Sequence, residues 1–229
     1  MDCKLTKTFV NSSPAYPFPN RRIVHPNLKS LSVSVFLPAS LLFHHVSFPS
    51  LCELRYNYLV GVVQHDEEFL EFLTCSSYLH ILYLEACEIQ ESALVEILQT
   101  TKALTDLDLK SSSPVHDNLF QLLADSSMVV DNTPFLPGLQ YFNHRCHAIC
   151  SWDFLPKIFG PLSEIGNPHR QPLSKVSLPS CSANAPANID EMAVLQILEF
   201  QHRGIQLEVF CEGKDILKAS LKAHKLFPA

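Results

Sequence analysis

The chain has 229 residues, 47% of them hydrophobic, which is enough to fill one large core or two small ones and too many for a disordered polymer. Its formal charge of −6 is spread along the sequence, leaving no basic footprint for nucleic acid and no polybasic anchor for a membrane. Six scattered glycines make no Gly-x-Gly-x-x-Gly turn or P-loop, and neither His-Glu-x-x-His nor Gly-x-Ser-x-Gly occurs, so the nucleotide, zincin and hydrolase devices they serve are not expected.

Residues 1–22, with Pro14, Pro17 and Pro19, read as an extended or disordered lead-in. The first twenty residues lack the uninterrupted apolar run of a secretory signal. The most apolar run, Val33 to Phe43, is interrupted by Pro38 and is too short to span a bilayer. The eight cysteines are therefore expected as reduced thiols of a cytoplasmic or nuclear protein.

From Leu28 onward an apolar skeleton recurs. It is strictly Leu-x-x-Leu-x-Leu in "LHILYL" (Leu79, Leu82, Leu84) and "LTDLDL" (Leu104, Leu107, Leu109). Looser copies begin at Leu28 (with Leu31, Val33), Leu51 (Leu54, Tyr56), Leu139 (Phe142, His144), Leu173 (Val176, Leu178) and Gly204 (Leu207, Val209). Successive copies start 23 to 35 residues apart, from Leu28 to Leu51 at the short end and Leu104 to Leu139 at the long end. That interval brackets and then exceeds the about 20–29 residues of a leucine-rich repeat. A strand sends alternate side chains to opposite faces, so the second and third skeleton positions predict a buried face. The residues between them predict a polar one, as Asp106, Asp108 and Lys110 do beside Leu107 and Leu109.

Between the skeletons the apolar period lengthens to that of a helix. "DEEFLEFLTCSSY" predicts one with Phe69, Leu70, Phe72 and Leu73 inward and the acids Asp66, Glu67 and Glu68 at its N-terminus. "QESALVEILQTT" does so with Leu94, Val95, Ile97 and Leu98, and "DNLFQLLADSS" with Leu119, Phe120, Leu122 and Leu123. In "DEMAVLQILEF" the expected inward residues are Met192, Leu195, Ile197 and Leu198. The inserts 111–138 and 146–172 are expected to loop out or to carry longer helices. Trp152, with Phe154, Leu155 and Phe159, reads either as an exposed aromatic anchor or as the apolar side of a helix. Residues 212–229 predict a helix with Ile216, Leu217 and Leu221 on one side, suited to capping the exposed end of a stack.

Cys87 and Cys181 each stand three residues after the last apolar position of a skeleton. These segments resemble the cysteine-containing class of leucine-rich repeat. The runs "FPSLCELRYNYL" and "LHILYLEACEIQESALVEILQTTKALTDLDLK" are similar to the divergent repeats of fungal F-box/leucine-rich-repeat proteins. The resemblance implies an α/β fold: a curved solenoid of six or seven repeats over residues 23–211, parallel strands on the concave side and helices on the convex side. It also implies substrate recognition for a cullin-based ubiquitin ligase. The family's helical F-box is not recognisable ahead of the repeats, so a Skp-type adaptor and cullin are implied as partners only of a longer form that carries one.

A concave strand face would present Glu53, Arg55, Tyr83, Glu85, Asp106, Asp108, Tyr141, Arg145, Lys175 and Glu208. Both charge signs and two tyrosines suit a protein ligand better than nucleic acid or membrane, although each residue also reads as ordinary solvated strand surface. The run "HRCHAIC" gathers His144, Cys146, His147 and Cys150, donors that suit zinc. Structural zinc sites draw their ligands from separated segments, so packed thiols and surface imidazoles are the expected reading, with no metal and no cofactor. Cys52, Cys75 and Cys211 have no histidine base beside them in sequence and are expected to be packed thiols. No catalytic residue is expected. The alternatives to a ligase adaptor are a stand-alone leucine-rich-repeat scaffold or, less favoured, a small thiol or zinc protein.

Overall fold

A computed structural model describes residues 2–8, 22–35, 40–63, 67–111, 117–126, 135–145, 152, 154–167, 171–180 and 187–226. The protein is α/β, with mostly parallel sheet and intervening helices, and divides into two compact units, Met1–Leu104 and Thr105–Ala229.

The N-terminal unit contains β1 (Asp2–Thr8), β2 (Ile23–Val24), β3 (Ser30–Val35), α1 (Ser40–His45), β4 (Val46–Ser47), β5 (Glu53–Val63), α2 (Glu67–Thr74), β6 (Ile81–Ile89) and α3 (Glu91–Thr100). Its main sheet runs β1–β3–β5–β6, every pair parallel, and β2 and β4 form a separate short parallel pair. Seven residues of the segment read as a lead-in thus belong to a strand, β1, while residues 9–21 lie outside the described residues. The skeletons align in register: Leu31 beside Leu54 beside Leu82, and Val33 beside Tyr56 beside Leu84. All six are buried. Full burial of a leucine side chain stabilises by roughly 1.5–3 kcal/mol, so such rows are strong determinants of register.

Helices cover that apolar face. Phe43 of α1 lies 5.5 Å from Tyr56 of β5, ring to ring, and 4.9 and 4.7 Å from Phe69 and Phe72 of α2. Helix α2 buries Phe69, Phe72 and Leu73, and α3 buries Ala93, Leu94, Ile97 and Leu98. Arg22 ties the layer together: its Nε donates to the carbonyl of Val46 at 2.9 Å and one terminal nitrogen meets Glu71 of α2 at 2.8 Å.

The C-terminal unit contains β7 (Asp106–Ser111), α4 (Asp117–Ser126), β8 (Tyr141–Arg145), α5 (Leu155–Ile158), β9 (Lys175–Ser180), α6 (Glu191–His202), β10 (Gln206–Cys211), β11 (Lys214–Asp215) and α7 (Ile216–Ala223). Strands β7–β8–β9–β10 are parallel neighbours in that order, and β11 folds back antiparallel on β10. Leu107, Phe142, Val176 and Leu207 form one buried row across the sheet. The insert 146–172 carries only the single-turn α5 and a 3-10 turn at Leu162–Glu164 among its described residues.

A main-chain device recurs at the entries of β5, β6, β7 and β8. Leu51, Leu79, Leu104 and Leu139, the first skeleton residues, each donate N–H to the carbonyl three residues back, closing a turn into the strand. The carbonyl of Lys29 then accepts from both Cys52 and Glu53, at 2.8 and 3.0 Å, and that of Cys52 from both His80 and Ile81. In the C-terminal unit the carbonyl of Thr105 accepts from Gln140 and Tyr141, and that of Gln140 from Ser174 and Lys175. The skeleton leucine is thus the hinge of a repeated turn as well as a core residue.

Two further expectations are corrected. Helix α6 buries Ala193, Val194, Ile197 and Phe200, whereas Met192 and Leu195 are 65% and 43% exposed, because the segment carries two overlapping apolar stripes and the sheet selects the one containing Val194. Gly204 is not the buried first position of its skeleton; at φ +89° it ends α6, and the neighbouring Ile205 is buried in its stead. Of the two readings of Trp152 the inward, apolar one holds, since it is fully buried together with Leu155 and Phe159.

Candidate functional site

The face of each sheet that the core leaves free is built from the residues between skeleton positions. In the N-terminal unit it holds Arg55 in register with Tyr83, and Asn57 in register with Glu85. Glu53 accepts from Arg55 Nε at 2.6 Å, and Glu85 accepts from both Tyr83 Oη at 3.3 Å and Asn57 Nδ2 at 3.2 Å. Four of the ten expected binding residues therefore share this face: Glu53, Arg55, Tyr83 and Glu85.

The other six, Asp106, Asp108, Tyr141, Arg145, Lys175 and Glu208, share the corresponding face of the C-terminal unit. Register sets them in rows. Asp106, Tyr141, Lys175 and Gln206 make one; Asp108, Asn143, Ser177 and Glu208 the next; Lys110 and Arg145 follow. Lys175 Nζ lies 5.5 Å from the centroid of the Tyr141 ring and 3.7 Å from a Glu208 carboxylate oxygen. Asn143 Nδ2 donates to Asp108 Oδ1 at 3.0 Å. Burial pushes the Tyr141 phenol above its ordinary value of 10.0, the carboxylates of Asp108, Glu208 and Asp106 push it further the same way, and Arg145 opposes them.

Asn57, Asn143 and Ser177 belong to these faces and escaped the sequence reading, which singled out charged and tyrosine residues. Strand alternation marks all three, since they flank Tyr56, Phe142 and Val176.

His144 occupies the third skeleton position of β8, buried, with its ring 5.9 Å from that of Phe120. Cys146, His147 and Cys150 lie outside the described residues, as do Cys181 and the side chain of Cys87. Among the described residues no group of three or more His, Cys, Asp or Glu is placed to hold a metal ion. Cys52 and Cys75 are half-buried free thiols, and Cys211 is likewise half-buried. On the helical side of the C-terminal unit, Ala124, Pro156, Gly160, Leu162 and Phe200 line a cleft of about 370 Å³, with Asp125 and Lys157 also on its walls. No described helix is long and apolar enough to cross a membrane.

No protein-family model matches the chain, and no curated protein matches it.

Proposed function

We propose that this chain is a non-enzymatic protein-interaction module, a curved leucine-rich-repeat solenoid, and that it is the substrate-recognition region of an F-box-type ubiquitin-ligase adaptor of the cytoplasm or nucleus. The observation that carries the repeat reading is the recurring strand entry: a leucine-closed turn followed by one carbonyl that accepts two amides of the next strand. Units that repeat their main-chain bonding in this way gain stability from their neighbours and leave one sheet face free for a ligand.

The free faces of the two units each carry acids, bases and a tyrosine, which suits the mixed rim chemistry of protein partners. The net charge of −6 disfavours a phosphate backbone as ligand. The ligase connection rests on the resemblance of the repeats to F-box proteins, and the bound species is accordingly a protein substrate, with a Skp-type adaptor and cullin joined through a longer form bearing an F-box.

A photo-crosslinking residue placed at Ser177 on the strand face, and in a second variant at Gln121 on α4, tests the binding surface in cells. Crosslinks to a discrete protein from position 177 and not from position 121 are expected. Crosslinks confined to position 121 would refute the strand face. Co-purification of a Skp-type adaptor with the longer form distinguishes a ligase subunit from a stand-alone scaffold, which would keep the crosslink and lack the adaptor.

A further inference from the structure

Asn143 is only 7% exposed, yet it stands on the polar side of β8, in register between Asp108 and Ser177 with Glu208 one strand beyond. The bond from its Nδ2 to Asp108 fixes the amide orientation, because turning it over would set two oxygens against each other. Its Oδ1 is left buried and without a hydrogen-bond partner among the described residues. A desolvated acceptor of this kind raises the free energy of the unliganded protein and rewards a ligand that brings a donor. Asn57 repeats the arrangement in the N-terminal unit, with Nδ2 on Glu85 and a buried, unmatched Oδ1.

The groups around Asn143 indicate which donor. Asp106, Asp108 and Tyr141 supply acceptors and a ring face on the adjoining strand positions, and Glu208 closes the row. Lys175 demonstrates the preference within the protein, holding its ammonium by the Tyr141 ring and Glu208. The Tyr141 phenol is displaced upward first by its burial and then by the carboxylates of Asp108, Glu208 and Asp106, with Arg145 acting against them. The remaining cations of the face, Lys110 and Arg145, pair in register one row further along, so acceptors dominate the corner formed by Asp106, Asp108, Tyr141 and Asn143.

We infer that this corner receives a basic side chain of the partner protein, arginine or lysine, whose N–H groups bond to Asn143 Oδ1 and to the flanking carboxylates of Asp108 and Glu208. Guanidinium and ammonium carry donors only, so every bond they form here finds an acceptor. The inference rests on the strand face being a protein-recognition surface and narrows what that surface reads.

Nuclear magnetic resonance titration of the whole chain with blocked tetra-arginine, tetra-lysine and tetraglutamate peptides tests this. Both basic peptides are expected to shift the Asn143 side-chain amide and the Tyr141 ring resonances, with affinity falling as salt rises, and tetraglutamate is not. Asn143→Leu and Asp108→Asn should each weaken the basic peptides about tenfold, while Glu199→Gln, an equal charge change on α6, leaves them unaltered. Unchanged affinity in Asn143→Leu, or equal shifts with tetraglutamate, would overturn the inference. Should Asn143→Leu fail to fold, Asp108→Asn and Glu208→Gln decide the matter in the same way. A partner that still crosslinks at position 177 in Asp108→Asn and Asn143→Leu, with undiminished yield, removes the basic side chain and keeps the recognition surface; absence of any strand-face crosslink removes the surface itself.

Discussion

The hydroxyl of Ser220 in α7 accepts the backbone N–H of Ile189, the residue before the N-cap of α6, at 2.7 Å, and donates to the carbonyl of Ile216 within its own helix. Ser220 is fully buried, and His224 Nε2 lies 2.9 Å from the carbonyl of the same Ile189. The terminal helix is therefore latched to the chain entering α6 by polar contacts as well as by Ile216 and Leu217.

Ser220→Ala leaves the Ile189 amide buried and unpaired, which costs about 1–3 kcal/mol. Urea unfolding of the variant should show a lowered midpoint with an unchanged slope. An unaltered midpoint would mean that the amide finds another acceptor.

Arg22 joins three pieces of the N-terminal unit, through the carbonyls of Val46 and Phe43 and the carboxylate of Glu71. The carbonyl bonds are part-buried, whereas Glu71 is 60% exposed and its ion pair is weakened by water. Arg22→Met is expected to cost about 1–3 kcal/mol and Glu71→Gln less than about 1 kcal/mol, compared by chemical denaturation. Equal losses would transfer the importance to the ion pair.

The orientation of α6 is open to direct test. Phe200→Ala, at a buried position that the alternative stripe would expose, should cost about 3–5 kcal/mol, and Met192→Ser at an exposed one should stay within about 0.5 kcal/mol. Asp190 caps the helix through the amides of Met192 and Ala193, at 2.9 and 3.4 Å, so Asp190→Ala should cost about 1 kcal/mol. Thermal unfolding of the three variants discriminates this phase from the alternative stripe, which would reverse the order of the first two.

Tyr141 binds its proton more tightly in the folded chain than in the unfolded one, because burial and three carboxylates disfavour the phenolate. Its contribution to stability is intact at neutral pH and is lost as pH rises from about 10 through the raised folded value. Spectrophotometric titration should find the Tyr141 phenolate forming later than in a Tyr141 reference peptide, and Asp108→Asn should bring it earlier. A phenol that ionises at its ordinary value in the folded protein would contradict the field described here.

Much of the fold is legible in the residues because it is local. The alternation of Leu107 and Leu109 with Asp106, Asp108 and Lys110 admits one strand face toward the core, and the strand β7 is oriented accordingly. Helices α2 and α3 likewise bury Phe69, Phe72 and Leu73, and Leu94, Ile97 and Leu98, each set lying on a single stripe. The ten charged and tyrosine residues assigned to the free face follow from the same alternation.

What the residues by themselves determine is thus the succession of strands and helices and the sidedness of those with one apolar stripe, since a period of two or of 3.6 leaves little choice. Tertiary structure alone decided the rest: that Val194 and not Met192 turns inward, that Asp2–Thr8 pair with β3, and that Asn143 is buried beside Asp108 with one oxygen unmatched. In each case the outcome depends on partners distant in the chain, whose packing and hydrogen bonds act only after the intervening loops have closed.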